Sequence, residues 1–194
     1  MIDSPSATSE AEFDRRRTAR LLLRRPLSGD LDWMTALHSD PLNYEHSPDR
    51  AHAPEQARSL SQSLLDAWEA DRVGYWIAEP AAETAAVETT GTATAGVPAS
   101  RIGMAGVRPS SLAARPCFNL YFRFVAAARG HGFAAEASRE ALAVAAVIDP
   151  SCPVVVRTRA PNVPALRLAD ALGLIRRPDL DALTTGFVVY VSHW

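Results

Sequence analysis

Apolar positions along this chain alternate between two spacings, and the changes of spacing mark its elements. RLLLRRP, Arg20 to Pro26, is a short apolar run closed by proline and predicts a strand. From Ser28, apolar residues fall at Leu31, Met34 and Leu37, a helical step, with Ser28 or Asp30 as cap and Pro41 as the stop. LNYEHSPDRAH is a polar loop. Ala53 to Asp71 predicts a second helix, with Pro54 in its first turn and Leu60, Leu64, Ala67 and Trp68 on one face. GYWIAEP (Gly74 to Pro80) and RIGMAGVR (Arg101 to Arg108) predict a hairpin. Its tip, 81–100, is rich in alanine and threonine and is expected to be a mobile loop. PSSLAARP is expected to be another loop, leading to the aromatic strand FNLYFRFV.

The second half is more regular. Ala134, Ala137, Ala141, Val144 and Ile148 recur at three- and four-residue steps, predicting a helix that stops at Asp149-Pro150. PVVVRTR, Pro153 to Arg159, is a β-branched strand. Asn162 caps a helix through Leu168 and Leu172, with Pro164 in its first turn and Gly173 past its end. TTGFVVYVSHW supplies a last strand. This order, mixed at first and then βαβα, predicts an α/β domain with a mixed sheet. Residues 1–16 are polar and read as a flexible tail, leaving 17–194 as one domain.

The chain has 194 residues, 47% hydrophobic, enough for one sizeable core. A net charge of −2 leaves no basic footprint for nucleic acid. Every basic residue other than histidine is arginine, so neither a lysine Schiff base nor a P-loop lysine is available. Cys117 and Cys152 lack metal-ligand spacing and are expected to be reduced thiols, with no metal site. The N-terminus has no apolar signal region and no run reaches the roughly 20 residues that span a bilayer, so a cytoplasmic protein without membrane partners is expected.

The segment AARGHGFAAEA, Ala127 to Ala137, carries the chemistry. It joins a strand to a helix through Gly130 and Gly132, which lack a Cβ and can adopt positive φ. The first N–H groups of a helix have no intrahelical partner, and its dipole adds partial positive charge there. Such a loop suits phosphate oxygens, with Arg129 adding charge or fixing the loop. Gly130, Gly132 and Ala135 also satisfy G-x-G-x-x-A, a dinucleotide fingerprint. Too little chain follows it for that fold, and Val154 to Arg159 lacks the acidic residue such a site uses.

Arg129, Gly132 and Ala134 match R/Q-x-x-G-x-G/A, and RGHGFAAEA resembles RGxGxAxEA. TARLLLRRP, GYWIAEP, PNVPALRLADALGL and VVYVSHW supply further likenesses in the same order. Together they resemble the GNAT N-acetyltransferases, in particular the RimJ/RimL-type branch, over nearly the whole chain. The resemblance implies a mixed, mostly antiparallel sheet flanked by helices and splayed between the family's fourth and fifth strands. It implies acetyl-CoA as co-substrate: backbone groups of Phe124 and Val125 on the pantetheine arm, the N–H groups of Arg129, Gly130, His131, Gly132, Phe133 and Ala134 on the pyrophosphate, and Asn162 beside the arm. Asn162 is equally a good helix cap without any ligand.

The activity implied is direct attack of a primary amine, on a small molecule or a peptide, on the thioester, with a homodimer admissible. Two positions depart from the family pattern. Asn119 stands where many members carry glutamate, and Ala165 stands where a serine is usual. Glu45 and His46, in the loop where the family binds acceptors, and Tyr190 on the last strand are the substitute acid and base candidates. Asn119 and Tyr121 are further acceptor-side candidates. Tyr121 and Arg123 alternate with Leu120, Phe122 and Phe124, so one of the two sets faces the cleft. The same departures keep open a silent acyl-CoA sensor of the same fold.

Overall fold

The computed structural model describes residues 13–81 and 101–194. Eight strands form one sheet in the order β1-β2-β3-β4-β5-β6-β8-β7. They are β1 (Arg15–Arg17), β2 (Leu21–Arg24), β3 (Tyr75–Pro80), β4 (Gly103–Leu112), β5 (Arg115–Phe124), β6 (Val154–Thr158), β7 (Ile175–Arg176) and β8 (Val188–Val191). Every neighbouring pair is antiparallel except β5 and β6. A parallel pair needs a crossover. Helix α3 (Phe133–Ile148) provides it, after α1 (Leu31–Ser39) and α2 (Pro54–Asp71) and before α4 (Val163–Ala171) and the one-turn α5 (Pro178–Asp181). Among the described residues, no helix is long and apolar enough to cross a membrane.

The sheet is buried on both faces. Strand alternation sends Ala105, Val107, Phe118, Leu120 and Phe124 towards α3, where they pack with Ala137, Ala141 and Val144. Tyr75, Ile77 and Met104 point the other way and pack with Met34 and Leu37 of α1 and Leu64 of α2. The small residues of α3 let the helix approach the aromatic side chains of β5 closely. Full burial of a side chain such as Leu21, Ile77 or Met104 contributes about 1.5–3 kcal/mol.

Three expectations are corrected. The tail ends earlier than residue 16: Phe13 packs on the core, its carbonyl accepts the Trp76 indole N–H at 2.7 Å, and Arg15 already pairs with Arg24. PSSLAARP is not a loop. β4 runs on to Leu112, and β5 starts at Arg115 after a two-residue turn at Ala113 (φ 50°) and Ala114 (φ 62°). A primed hairpin turn needs positive φ and usually shows it as Asn-Gly or Asp-Gly, so two alanines conceal it. β7 and α5 were not resolved from the C-terminal segment because each is too short to carry a period. The loop expected at 81–100 lies, apart from the buried Ala81, outside the described residues.

Candidate active site

β5 and β6 pair only at Phe118↔Val154 and Asn119↔Val155; beyond that vertex they separate. The seam expected between the family's fourth and fifth strands is thus β5/β6 here. Phe118 N–H donates to the Pro153 carbonyl across the seam at 2.8 Å. Strand alternation therefore turns the N–H and C=O of Leu120, Phe122 and Phe124 into the opening. Val125 is a correction: its N–H donates to Ile102 O and its carbonyl accepts from Ala128 N–H, so neither group is open to a ligand.

At the wide end the strand enters the glycine loop. Gly130 (φ +81°) and Gly132 (φ +79°) are both left-handed, a conformation that costs other residues about 1–2 kcal/mol. The N–H of Arg129 is already bound to Ala126 O, so it leaves the expected donor set. The N–H groups of Gly130, His131, Gly132, Phe133 and Ala134 have no protein partner among the described residues. Five donors around two glycines at the head of the 16-residue α3 form a cradle suited to a diphosphate. His131 is exposed beside it, and Phe133 is buried under it.

The cradle rests on Glu136. Its carboxylate accepts from Thr18 Oγ1 (2.5 Å), Arg20 N–H (2.7 Å) and Arg20 Nε (2.8 Å), while Arg20 Nη1 donates to the His131 carbonyl (2.9 Å). Burial opposes its ionisation, but these donors win and hold it below the ordinary carboxylate range. The Arg129 side chain turns away from the cradle, its Nε donating to the Phe124 carbonyl at 3.4 Å. It donates to Leu42 O (3.0 Å) and Asn43 Oδ1 (2.6 Å), tying the α1–α2 connection to the phosphate cradle.

Tyr121 and Arg123 take the α1–α2 face, which settles the strand's alternation. Tyr121 stacks on Tyr75 with ring centroids 4.7 Å apart, and Arg123 lies over the Tyr44 ring at 4.5 Å. Behind them His38 is 1% exposed. Its Nδ1 lies 2.7 Å from the Met34 carbonyl, an acceptor only, so Nδ1 carries the proton. Nε2 then accepts from the Tyr121 hydroxyl at 2.9 Å. Burial, with the Arg123 charge adding to it, pushes the imidazole down to about 4, so His38 is neutral near pH 7. Burial pushes the Tyr121 hydroxyl up to about 12.

Between the strands lies a cleft of about 200 Å³ that brings together His46, Tyr121, Arg123, Arg157, Asn162 and Ala165. Asn162 caps α4, accepting from Ala165 N–H at 3.3 Å, and still lines the cleft, so the two readings of it coexist. Asn119 sits at the vertex, donating through Nδ2 to the Tyr75 hydroxyl (2.7 Å) and accepting at Oδ1 from Arg157 (3.2 Å). It lines a second cavity of about 570 Å³ that shares Arg157 and Phe187 with the first. Glu45 is exposed and stands outside both linings. Tyr190 is also off the cleft: it packs in the α3-side core, with Arg176 5.8 Å from its ring, and burial and Asp170 push its hydroxyl up. The sheet order explains this: β8 lies one strand beyond β6, so Tyr190 sits behind Val156, which itself lines the cleft. Among the described residues, no three His, Cys, Asp or Glu side chains converge as a metal site would require.

The acetyltransferase (GNAT) domain model matches residues 20–175. The chain belongs to the GNAT acetyltransferase family, and it is an acyl-CoA-dependent acetyltransferase. An acetyltransferase from Agrobacterium tumefaciens superposes with a TM-score of 0.69 at 19% identity, covering 93% of this chain and 94% of that one. The RimL ribosomal L7/L12 α-N-protein acetyltransferase, solved with CoA, gives 0.62 at 10% identity over 90% and 94%. Spermidine N-acetyltransferase from Vibrio cholerae, solved with CoA and spermine, gives 0.59 at 14% over 90% and 94%. At these identities the likeness is one of fold. No curated protein matches the sequence.

His38, Tyr75 and Arg157 were missed as site residues. The i, i+4 step from Met34 to His38 places the histidine on the buried stripe of α1, a usable signal. Tyr75 and Arg157 lie on separate strands, and only the sheet order brings them to Asn119.

Proposed function

We propose that this GNAT protein acetylates a primary amine from acetyl-CoA by direct attack, and that its motif string places it near the RimJ/RimL-type branch. One observation carries the reading: two sets of backbone groups face the same opening, one on the strand and one in the glycine loop. The first is Leu120, Phe122 and the Phe124 N–H, the Phe124 carbonyl being met by Arg129 Nε at 3.4 Å; the second is the free N–H groups of Gly130 to Ala134. These residues hold the pantetheine amides and the diphosphate, with Asn162 beside the arm. Bound acetyl-CoA supplies an activated acyl group.

The chain's own part is mainly alignment, which in favourable cases lowers a barrier by about 7–11 kcal/mol. An N–H such as that of Leu120 or Phe122 stabilises negative charge on the carbonyl oxygen. The amine nitrogen bonds to the acyl carbon, the C–S bond breaks, and CoA departs as the thiol while the amine loses a proton. His46 is the cleft-lining imidazole able to take that proton, and Glu45 is its exposed sequence neighbour outside the lining. Tyr121 and Asn119 shape the acceptor side. A panel of amines with acetyl-CoA, read by thiol release, tests the proposal. Turnover on at least one amine is expected; tight CoA binding with no turnover on any would instead favour a sensor.

A further inference from the structure

The vertex of the cleft carries cations and no carboxylate. Arg108 lies directly across the β4–β5 ladder from Asn119, with its guanidinium 5.8 Å from the Tyr75 ring centre. Arg157 reaches the other side of Asn119, at 3.2 Å. Among the described residues neither arginine has an acidic partner, whereas Arg16, Arg20, Arg24 and Arg176 are all paired with carboxylates. Neither cavity has an Asp or Glu in its lining. Asn119 accepts from Arg157 and donates to Tyr75, which fixes its amide orientation and leaves the Tyr75 O–H as a further donor.

These arginines are badly placed to serve the diphosphate cradle. Asn119 lies five residues before Phe124, roughly 17 Å along β5 at the usual rise per residue, and the cradle lies beyond Phe124. Arg157, which lines both cavities, therefore stands at the reacting end of the cleft, and Arg108 lies outside both linings, one strand behind Asn119. A polyamine would meet like charge there, and an arginine fork matches a planar carboxylate.

We propose that Arg157, with the charge of Arg108 behind it, binds a carboxylate carried by the acceptor, so that the amine acetylated belongs to an amino acid or to a peptide with an acidic first residue. This rests on the acetyl-transfer reading of the same cleft. It also gives the departure at Asn119 a physical sense. A glutamate there would pair with Arg157 and neutralise the site, whereas the amide orients the guanidinium and leaves its charge for the substrate. The same positive field favours the neutral form of a nearby amine, which lessens the demand on a base.

The test uses the full chain and matched acceptors: glutamate against glutamine, glutamine against glutaminamide (which lacks the α-carboxylate), an N-terminal Glu-peptide against its Gln counterpart, and spermidine. kcat/KM from thiol release and calorimetric binding to the CoA-loaded protein are both measured. The carboxylate member of at least one pair is expected to be better by about tenfold or more. Preference for free glutamate over the peptide identifies a small-molecule acceptor, and the reverse a peptide. Arg157→Gln keeps a donor for Asn119 but removes the charge and is expected to abolish the preference in both readouts with an unchanged melting temperature; Arg108→Gln, which removes only the charge behind the site, is expected to weaken the preference without abolishing it. Equal turnover of both members, or preference for spermidine, overturns the carboxylate site and leaves acetyl transfer standing. CoA binding without turnover of any acceptor, and without carboxylate binding, overturns both.

Discussion

The two ends of the cleft are built from different material. At the wide end the ligand-facing groups are backbone amides, held by two left-handed glycines and a helix start. At the vertex they are side chains, drawn from β3, β4, β5 and β6 and backed by His38 of α1. A backbone cradle suits a ligand that never changes. A side-chain assembly lets the acceptor change while the fold stays. The first kind of site is written in a short string of residues; the second exists only after the sheet has formed.

The largest expected effect breaks this contrast from the vertex side. His38 should bind a proton at about 6.5 when unfolded but only at about 4 in the native protein. The unfolded chain therefore holds more protons across that window, and stability falls as the pH drops from about 6.5 to about 4, by up to about 3 kcal/mol. Urea unfolding across that range should show the slope, and His38→Gln should flatten it. An unchanged slope in the variant would show that the histidine is not the titrating group.

At the cradle, Gly132→Val forces a β-branched residue to φ +79°. Strain of about 1–3 kcal/mol predicts CoA affinity lower by about fivefold to 150-fold in calorimetry. Binding equal to that of the parent would mean that the glycine geometry is not what holds the ligand. Arg129→Ala sharpens the contrast, because this side chain starts in the cradle and ends on the α1–α2 connection. Losing contacts worth about 1 kcal/mol should raise KM for the acceptor by about fivefold and leave CoA affinity nearly unchanged. A loss confined to CoA would reverse the assignment. Smallest is Tyr190→Phe, since the hydroxyl lies off the cleft. Initial rates should stay within about twofold, and a large fall in kcat would return Tyr190 to the reaction.

How much was legible follows the same division. The cradle, the α3 stripe and the Asn162 cap were readable because each is fixed by residues within a turn or two of one another. The long β4–β5 hairpin was not, since Ala113 and Ala114 hold positive φ without a glycine or asparagine to announce it. Tyr190 could not be placed from the sequence because only the sheet order shows that its strand lies one removed from the opening, behind Val156. Arg108 and Arg157 look like ordinary solvent-facing arginines until Asn119 is seen between them.

Thr18 and Arg20, on the β1–β2 turn, grip Glu136 and the His131 carbonyl without belonging to the cradle themselves. Thr18 falls just before the matched domain span of 20–175, and β8 falls after it. A truncation cut to that span would keep every glycine of the motif and Arg20, and still remove Thr18, one of the two residues that grip the carboxylate under the loop.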